Sequence, residues 1–153
     1  MADILNFAQK ALVESKEGKI LVMKNPAHTR YNPSMLHFPG GRMKFGEKLD
    51  EHIIREVFEE VCIKIKPLEP LALASWVVNE GDTHRHELDG INLHVVAVIR
   101  YCKYISGKIS CTSNVDDEDI ETAFWIWPKE LLKNPNFDKK ELPALQAYIE
   151  KLQ

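Results

Sequence analysis

Short runs of apolar and β-branched residues recur along the chain and predict several strands. The segments 8–15 and 19–25 flank a Gly-containing turn at 16–18, which predicts a hairpin. The residues "MLHF" predict a short strand that leads into a turn beginning at Gly40 and Gly41. Longer apolar runs at 71–78 and 91–105 predict buried or half-buried strands.

Three segments have a helical pattern instead. The period changes to helical between about Lys48 and Val61. Pro128 stands at a plausible first helical position of "PKELLKN". The last segment carries leucine and isoleucine at helical spacing, at Leu142, Leu145, Ile149 and Leu152. Strands interleaved with two or three helices predict an α/β or α+β sandwich.

Length and composition limit the possible classes of protein. The chain has 153 residues and shows no internal repeat, low-complexity tract or linker, so we expect one domain over residues 1–153. Twenty basic residues against twenty-three acidic ones give a formal charge of −3. This balance favours neither nucleic acid nor an anionic membrane as a partner.

The sequence also predicts a cytoplasmic protein. It has no apolar stretch of about 18 residues that could span a membrane. The N-terminus lacks the pattern of a secretory signal. Three widely spaced cysteines, Cys62, Cys102 and Cys111, fit reduced thiols that serve in packing. A homodimer is compatible with the sequence, although no interface signature supports it.

The helix predicted at 48–61 carries three glutamates close together. On a wheel at about 100° per residue, Glu60 lies about 40° from Glu56 on one side and Glu59 about 60° on the other. Four apolar residues are expected on the opposite side, namely Ile54, Val57, Phe58 and Val61. A divalent cation would relieve the repulsion among three carboxylates, and hard oxygen ligands favour Mg²⁺ or Mn²⁺. The alternative is a solvated acidic face, which is the commoner meaning of such spacing.

The longer pattern around this helix resembles the Nudix box, G-x5-E-x7-R-E-U-x-E-E-x-G-U, where U is aliphatic. The segment from Gly41 to Ile63 matches eight of its nine specified positions. The "FPGG" stretch and the segment from Trp125 to Leu131 are also similar to this family. The resemblance implies a MutT-related Nudix hydrolase with an α/β/α sandwich and a mixed sheet.

Several site residues follow from the resemblance. Glu56, Glu59 and Glu60, together with the Gly41 carbonyl, would hold Mg²⁺ or Mn²⁺. Glu47 would orient or supplement that cluster. Arg55 would pair with a box carboxylate and fix its rotamer, although an ordinary surface ion pair is the alternative.

Other candidates lie outside the specified positions of the box. The resemblance implies a further acidic metal ligand from the loop before Trp125, which offers Glu118, Asp119 and Glu121. We expect Asp119 by its spacing to Trp125; a solvated acidic turn is the alternative. Lys24, Arg30 and Lys44 are expected to contact substrate phosphate. The last of these stands where many relatives have an acid, so its charge could instead lower metal affinity.

Three further features have a structural alternative. Cys62 replaces the last glycine of the box, where a left-handed backbone is expected at a cost of roughly 1 kcal/mol. His84 and His86 are expected in a substrate-facing loop rather than on a metal. The three tryptophans are expected in the core rather than as platforms for a base, namely Trp76, Trp125 and Trp127.

The resemblance implies metal-dependent hydrolysis of a nucleoside diphosphate linked to another group. ADP-ribose hydrolases of the family typically have a proline, and dinucleoside polyphosphate hydrolases a tyrosine, 15 to 17 residues after the box. This chain has Val78, Asn79 and Glu80 at those positions. The coenzyme A pattern before "FPGG" is incomplete. We therefore expect a nucleoside or deoxynucleoside triphosphate as substrate. The alternatives are a nucleotide sugar, ADP-ribose, or a non-catalytic module that binds a nucleotide.

Overall fold

The computed structural model describes residues 2–28, 32–79, 90–110 and 122–153. Seven strands and three helices occur in these ranges. The strands are β1 (Ala2–Glu14), β2 (Ile20–Lys24), β3 (Leu36–His37), β4 (Gly40–Arg42), β5 (Lys64–Val78), β6 (Ile91–Ser106) and β7 (Thr122–Ile126). The helices are α1 (Leu49–Val61), α2 (Pro128–Leu132) and α3 (Leu142–Lys151).

All seven strands form one mixed sheet. Its main path runs β3-β2-β1-β6-β5, while β4 pairs with β1 and β7 pairs with β2. The pairing of β1 with β6 is parallel along the whole of β1, whereas the neighbouring pairs are antiparallel. The predicted mixed sheet is therefore confirmed.

Alternation along the central strands creates two apolar faces. On β1, Leu12 packs with Leu145 and Tyr148 of α3 and with Leu131 of α2. The next residue on the strand points the other way, and Val13 packs in the cluster beneath α1. Helices thus cover both faces of the sheet, and the predicted α/β/α sandwich is confirmed.

Three strand predictions need correction. β1 begins at Ala2 rather than near residue 8, because its largely exposed N-terminal half still pairs with β6. Gly40 and Gly41 do not begin a turn; they belong to β4 and pair with Lys10 and Gln9 of β1. β5 begins at Lys64, with register shifts between Pro67 and Ala72 where prolines cannot donate to the ladder.

The packing face of α1 differs from the predicted one. Ile53, Val57 and Val61 are fully buried, but Ile54 and Phe58 are exposed. Compared with the prediction, the buried face of α1 is therefore shifted toward its acidic side. β1 and β4 lie beneath that side and contact it through Gln9 and Gly40. This shift places part of the acidic face against protein rather than in water.

The tryptophans and cysteines partly follow expectation. Trp76 and Trp125 pack at the edge of buried clusters, whereas Trp127 is 43% exposed and is not a core residue. Cys102 is fully buried, and burial raises the pKa of its thiol to about 12. Cys111 lies outside the described residues.

No helix in the described ranges has the length and apolar character needed to cross a membrane.

Cys62 ends α1 in the left-handed conformation expected at the box glycine position. Its φ is 63° and its backbone N–H donates to the carbonyl of Phe58 at 2.9 Å. A side chain in this conformation costs about 1 kcal/mol, while glycine gives the unfolded chain roughly 0.4–1 kcal/mol more entropy.

We expect Cys62→Gly to leave the free energy of unfolding unchanged or to raise it by about 0.5 kcal/mol. Cys62→Val should lower it by about 1 kcal/mol, because a β-branched residue tolerates positive φ poorly. Urea denaturation of the three proteins measures the order. Valine as stable as glycine would show that the left-handed backbone imposes no cost here.

Candidate functional site

Two carboxylates of α1 converge on the glycine pair of β4. The backbone N–H of Gly40 donates to Oε1 of Glu60 at 3.0 Å. An ideal Cβ placed on Gly41 would lie 2.7 Å from Oε2 of Glu56. The adjacent glycines thus bring Glu56 and Glu60 to one point at the edge of the sheet.

The glycines allow this approach because neither has a side chain. Gly40 has φ of 152°, and a Cβ there would lie 2.2 Å from the carbonyl oxygen of Gln9. β1 therefore passes directly behind β4 at this point. The glycine pair provides both the close pairing of the strands and the space for the Glu56 carboxylate.

Arg55 connects the other glutamates of the pattern. Its Nε and Nη2 donate to the two oxygens of Glu47, each at 2.8 Å. Its Nη1 donates to Glu59 at 3.0 Å, and Nη2 lies 3.2 Å from Oε1 of Glu56. Arg55 thus lies among three carboxylates, which is the position expected of a residue that fixes their orientation.

The two-pronged bond from Arg55 has a strong effect on Glu47. Hydrogen bonding from the guanidinium, with a further bond from the Lys44 backbone N–H at 2.8 Å, lowers the pKa of the Glu47 carboxyl from 4.5 to about 2. The same contact raises the pKa of Arg55 above its ordinary value. Both groups are therefore charged at any pH near neutrality.

This lowered pKa predicts how stability depends on pH. Glu47 stabilises the fold above about pH 4.5, the ordinary value, and this contribution is lost as pH falls toward about 2. We expect Glu47→Gln to unfold more easily than wild type at pH 7. The difference should narrow as pH falls through this window. Denaturant titrations of both proteins, in EDTA, measure it; a difference that stays constant with pH would contradict the assignment.

The acidic face fits a hard divalent cation, though not with every expected ligand in place. Within the described part of the chain, no group of three or more His, Cys, Asp or Glu side chains is close enough to hold a metal. Glu59 is turned toward Arg55 and its side chain is 55% exposed. Two convergent carboxylates nevertheless suit Mg²⁺, which keeps several waters and accepts substrate oxygens.

The remaining predicted residues are less informative. Lys44 and Lys24 are exposed, and the latter ends β2 opposite Leu36. Arg30 and Asp119 lie outside the described residues. The same is true of four other residues, Glu118, Glu121, His84 and His86.

Lys10 and Glu141 were not anticipated near this site. The ammonium of Lys10 lies 3.1 Å from Oε2 of Glu141, whose Oε1 accepts the backbone N–H of Phe38 at 2.6 Å. Burial alone would lower the pKa of Lys10, but the charges of Glu141 and Glu60 outweigh burial and raise it. No local sequence signal relates β1 to the segment before α3, so this pair is visible only in the fold.

Gln9 and His52 were also not predicted as site residues, although the sequence contained one signal for His52. Both are essentially fully buried, and the Gln9 amide nitrogen lies 2.8 Å from Nδ1 of His52. His52 precedes Glu56 by four residues, so the helical wheel places it on the acidic face. A histidine among the glutamates of that face was the available signal.

Known proteins resemble this chain in both sequence and fold. The family model described as NUDIX domain matches residues 6–148. Phosphatase NudJ of Shigella boydii is 25% identical over 126 residues, which cover 82% of this chain and 71% of that protein.

Solved structures of low sequence identity share the fold. The MutT protein of Methanosarcina mazei superimposes with a TM-score of 0.72 at 16% identity, covering 97% of this chain and 96% of that one. A NUDIX hydrolase from Nitrosomonas europaea gives 0.70 at 18% identity, covering 97% and 90%. Since the family model spans nearly the whole sequence, the chain belongs to the NUDIX domain family and is a hydrolase of phosphoric anhydride bonds.

Proposed function

We propose that this hydrolase converts a nucleoside or deoxynucleoside triphosphate to the monophosphate and pyrophosphate, with Mg²⁺ or Mn²⁺ as cofactor. The observation that carries the proposal is the convergence of Glu56 and Glu60 on Gly40 and Gly41. The assignment to triphosphates rests on the sequence, because the signatures of ADP-ribose and dinucleoside polyphosphate hydrolases are absent and the coenzyme A pattern is incomplete.

Glu56 and Glu60 would hold the cation, with the Gly41 carbonyl beside them. Glu59 joins them if its carboxylate turns away from Arg55, and Asp119 is a further proposed ligand. A bound Mg²⁺ neutralises charge on the phosphate oxygens and assists departure of the leaving group. Arg55 and Glu47 keep the other carboxylates oriented through the contacts described above.

The proposed reaction is a hydrolysis at phosphorus, in which nothing is oxidised or reduced. A water oxygen forms a bond to one phosphorus, the bond from that phosphorus to the bridging oxygen breaks, and a carboxylate accepts the proton of the water. The general base is one of the box glutamates. Lys24, Arg30 and Lys44 are proposed to contact the phosphates of the substrate.

A panel of nucleotides tests the proposal. It includes NTPs, dNTPs, ADP-ribose and a nucleotide sugar, each with Mg²⁺ or Mn²⁺ and with an EDTA control. Pyrophosphate and orthophosphate are measured separately, because the relative from Shigella boydii is named a phosphatase. We expect metal-dependent release of pyrophosphate from one preferred triphosphate.

Two outcomes would overturn parts of the proposal. Cleavage of ADP-ribose or a nucleotide sugar, without pyrophosphate release from any triphosphate, would contradict the substrate class. Hydrolysis unchanged by EDTA would contradict the role of the cation. The matched control is the Glu60→Gln protein, which should fold and remain inactive across the panel.

A further inference from the structure

His52 is a buried polar residue in the first turn of α1. Its side chain is fully enclosed and lies one helical turn before Glu56. Burying an imidazole among apolar residues is unfavourable unless its nitrogens are hydrogen-bonded. The contacts of its two nitrogens therefore show what the residue can do.

Gln9 fixes which nitrogen carries the proton. The Gln9 amide nitrogen donates to the carbonyl of Leu49 at 2.8 Å, and a carbonyl can only accept, so this end of the amide is the NH₂ group. The same nitrogen lies 2.8 Å from Nδ1 of His52. Nδ1 is therefore the acceptor, and in the neutral ring the proton is on Nε2.

The protonated nitrogen points toward the acidic site. Nε2 of His52 lies 3.8 Å from Oε1 of Glu56, which is too long for a hydrogen bond. Within the described residues, Nε2 is the one buried side-chain nitrogen or oxygen without a hydrogen-bond partner. A movement of the Glu56 carboxylate by about 1 Å toward the ring would bring Oε1 within hydrogen-bond distance of Nε2.

We propose that His52 is a positioning residue for Glu56: its Nε2–H donates to Oε1 when a divalent cation is bound, and Oε2 is thereby directed to the cation. This inference rests on the proposed metal-dependent function. Oε2 lies 2.7 Å, and Oε1 2.9 Å, from the point that a Cβ on Gly41 would occupy, so Glu56 faces the glycine pair with both oxygens. Groups that orient ligands in this way typically change metal affinity by about 10–100-fold.

Gln9 links the arrangement to Arg100 of β6 and, through it, to Asp50 in the first turn of α1. Its Oε1 lies 3.5 Å from Nη1 of Arg100, and that guanidinium also donates to Asp50 at 2.6 Å and to the carbonyl of Leu68. The orientation of the Gln9 amide is thus set from both ends. Residues of β1 and β6 hold the imidazole so that its free N–H faces Glu56.

The experiment is a Mn²⁺ titration of the folded protein without nucleotide, followed by electron paramagnetic resonance. Wild type is compared with His52→Leu, which fills the space without an N–H, and with His52→Gln, whose amide can reach Glu56. We expect His52→Leu to weaken Mn²⁺ binding by about 10–100-fold and His52→Gln to stay within about threefold of wild type. Thermal unfolding should show His52→Leu close to wild type in stability, because the variant removes the unpartnered Nε2–H but also leaves one buried N–H of Gln9 without its acceptor.

Val57→Ala is the matched control, since Val57 is buried on the same helix and carries no polar group. It should lower stability and leave the Mn²⁺ affinity unchanged. If His52→Leu does not fold, His52→Gln is compared with His52→Asn, whose shorter amide does not reach Glu56. Weaker binding by the asparagine variant alone would then support the proposal.

The outcomes separate this inference from the function on which it rests. If wild type binds no Mn²⁺, the proposed metal site is wrong and the inference falls with it. If wild type and His52→Leu bind Mn²⁺ equally, His52 does not position a ligand, while the metal-dependent function stands. Loss of affinity in proportion to loss of stability, in Val57→Ala as well, would show that His52 is merely structural.

Discussion

Exchange of Glu60 or Glu56 for glutamine should lower the turnover of the preferred nucleotide at least about a hundredfold, with the fold intact. A metal ion stabilises charge in the transition state by several kcal/mol, and about 3 kcal/mol corresponds to a hundredfold change in rate. In Glu60→Gln the new amide keeps the shape of the side chain, and its oxygen can still accept the Gly40 N–H. Steady-state kinetics at saturating Mg²⁺, with circular dichroism as a check on folding, measure the effect.

Glu51→Gln and Glu59→Gln make this prediction specific. Glu51 is an exposed acid on the same helix, so its exchange removes the same charge and should leave turnover unchanged. Glu59 is held by Arg55 and is more than half exposed, so we expect its exchange to have a smaller effect than that of Glu56 or Glu60. Wild-type turnover in both Glu56→Gln and Glu60→Gln would refute the assignment of the site.

Alanine at the two adjacent glycines should have two different consequences. In Gly41→Ala the new Cβ meets the far end of the Glu56 side chain, which can swing aside. We expect a folded protein that loses most of its activity, since the carboxylate is displaced. In Gly40→Ala the Cβ would lie 2.2 Å from the Gln9 carbonyl and 2.7 Å from Cα of Lys10. Backbone atoms cannot yield without separating β1 from β4.

The expected cost of Gly40→Ala is about 3 kcal/mol or more, from overpacking together with a strained positive φ. That is a large part of the stability of a domain of this size, roughly 5–15 kcal/mol. Urea denaturation and activity, measured on both variants, give the comparison. A stable and active Gly41→Ala protein would show that Glu56 does not need the space above this glycine.

Both predictions depend on a feature of α1 that the wheel alone does not show. Glu60 belongs to the acidic side, yet on the wheel it lies only about 20° from Ile53 and about 60° from Val57, and both of these residues are buried. The helix therefore packs with its acidic side half turned into the protein. Such partial burial strengthens the interaction of the carboxylates with a cation, because the local dielectric is lower than in water.

The sequence alone determined the features that depend on local spacing. The hairpin around Gly18, the helix after Lys48 and the proline-initiated helix at Pro128 were all predicted, since each depends on residues close together in the chain. The placement of Glu56, Glu59 and Glu60 on one side of α1 followed from the 3.6-residue period, although Glu59 turns to Arg55 rather than joining the other two. The left-handed Cys62 followed from the position of the box glycine.

The tertiary structure decided how those elements meet. Sequence spacing placed Ile54 and Phe58 inside, but the strands beneath α1 turned the helix so that His52 and Ile53 are buried instead. The pairing of β4 with β1 brings Gly40 and Gly41 to the acidic face, and it brings Gln9 to His52 from 43 residues away. The local period of a helix specifies which residues share a face, whereas the direction of that face depends on packing between distant segments.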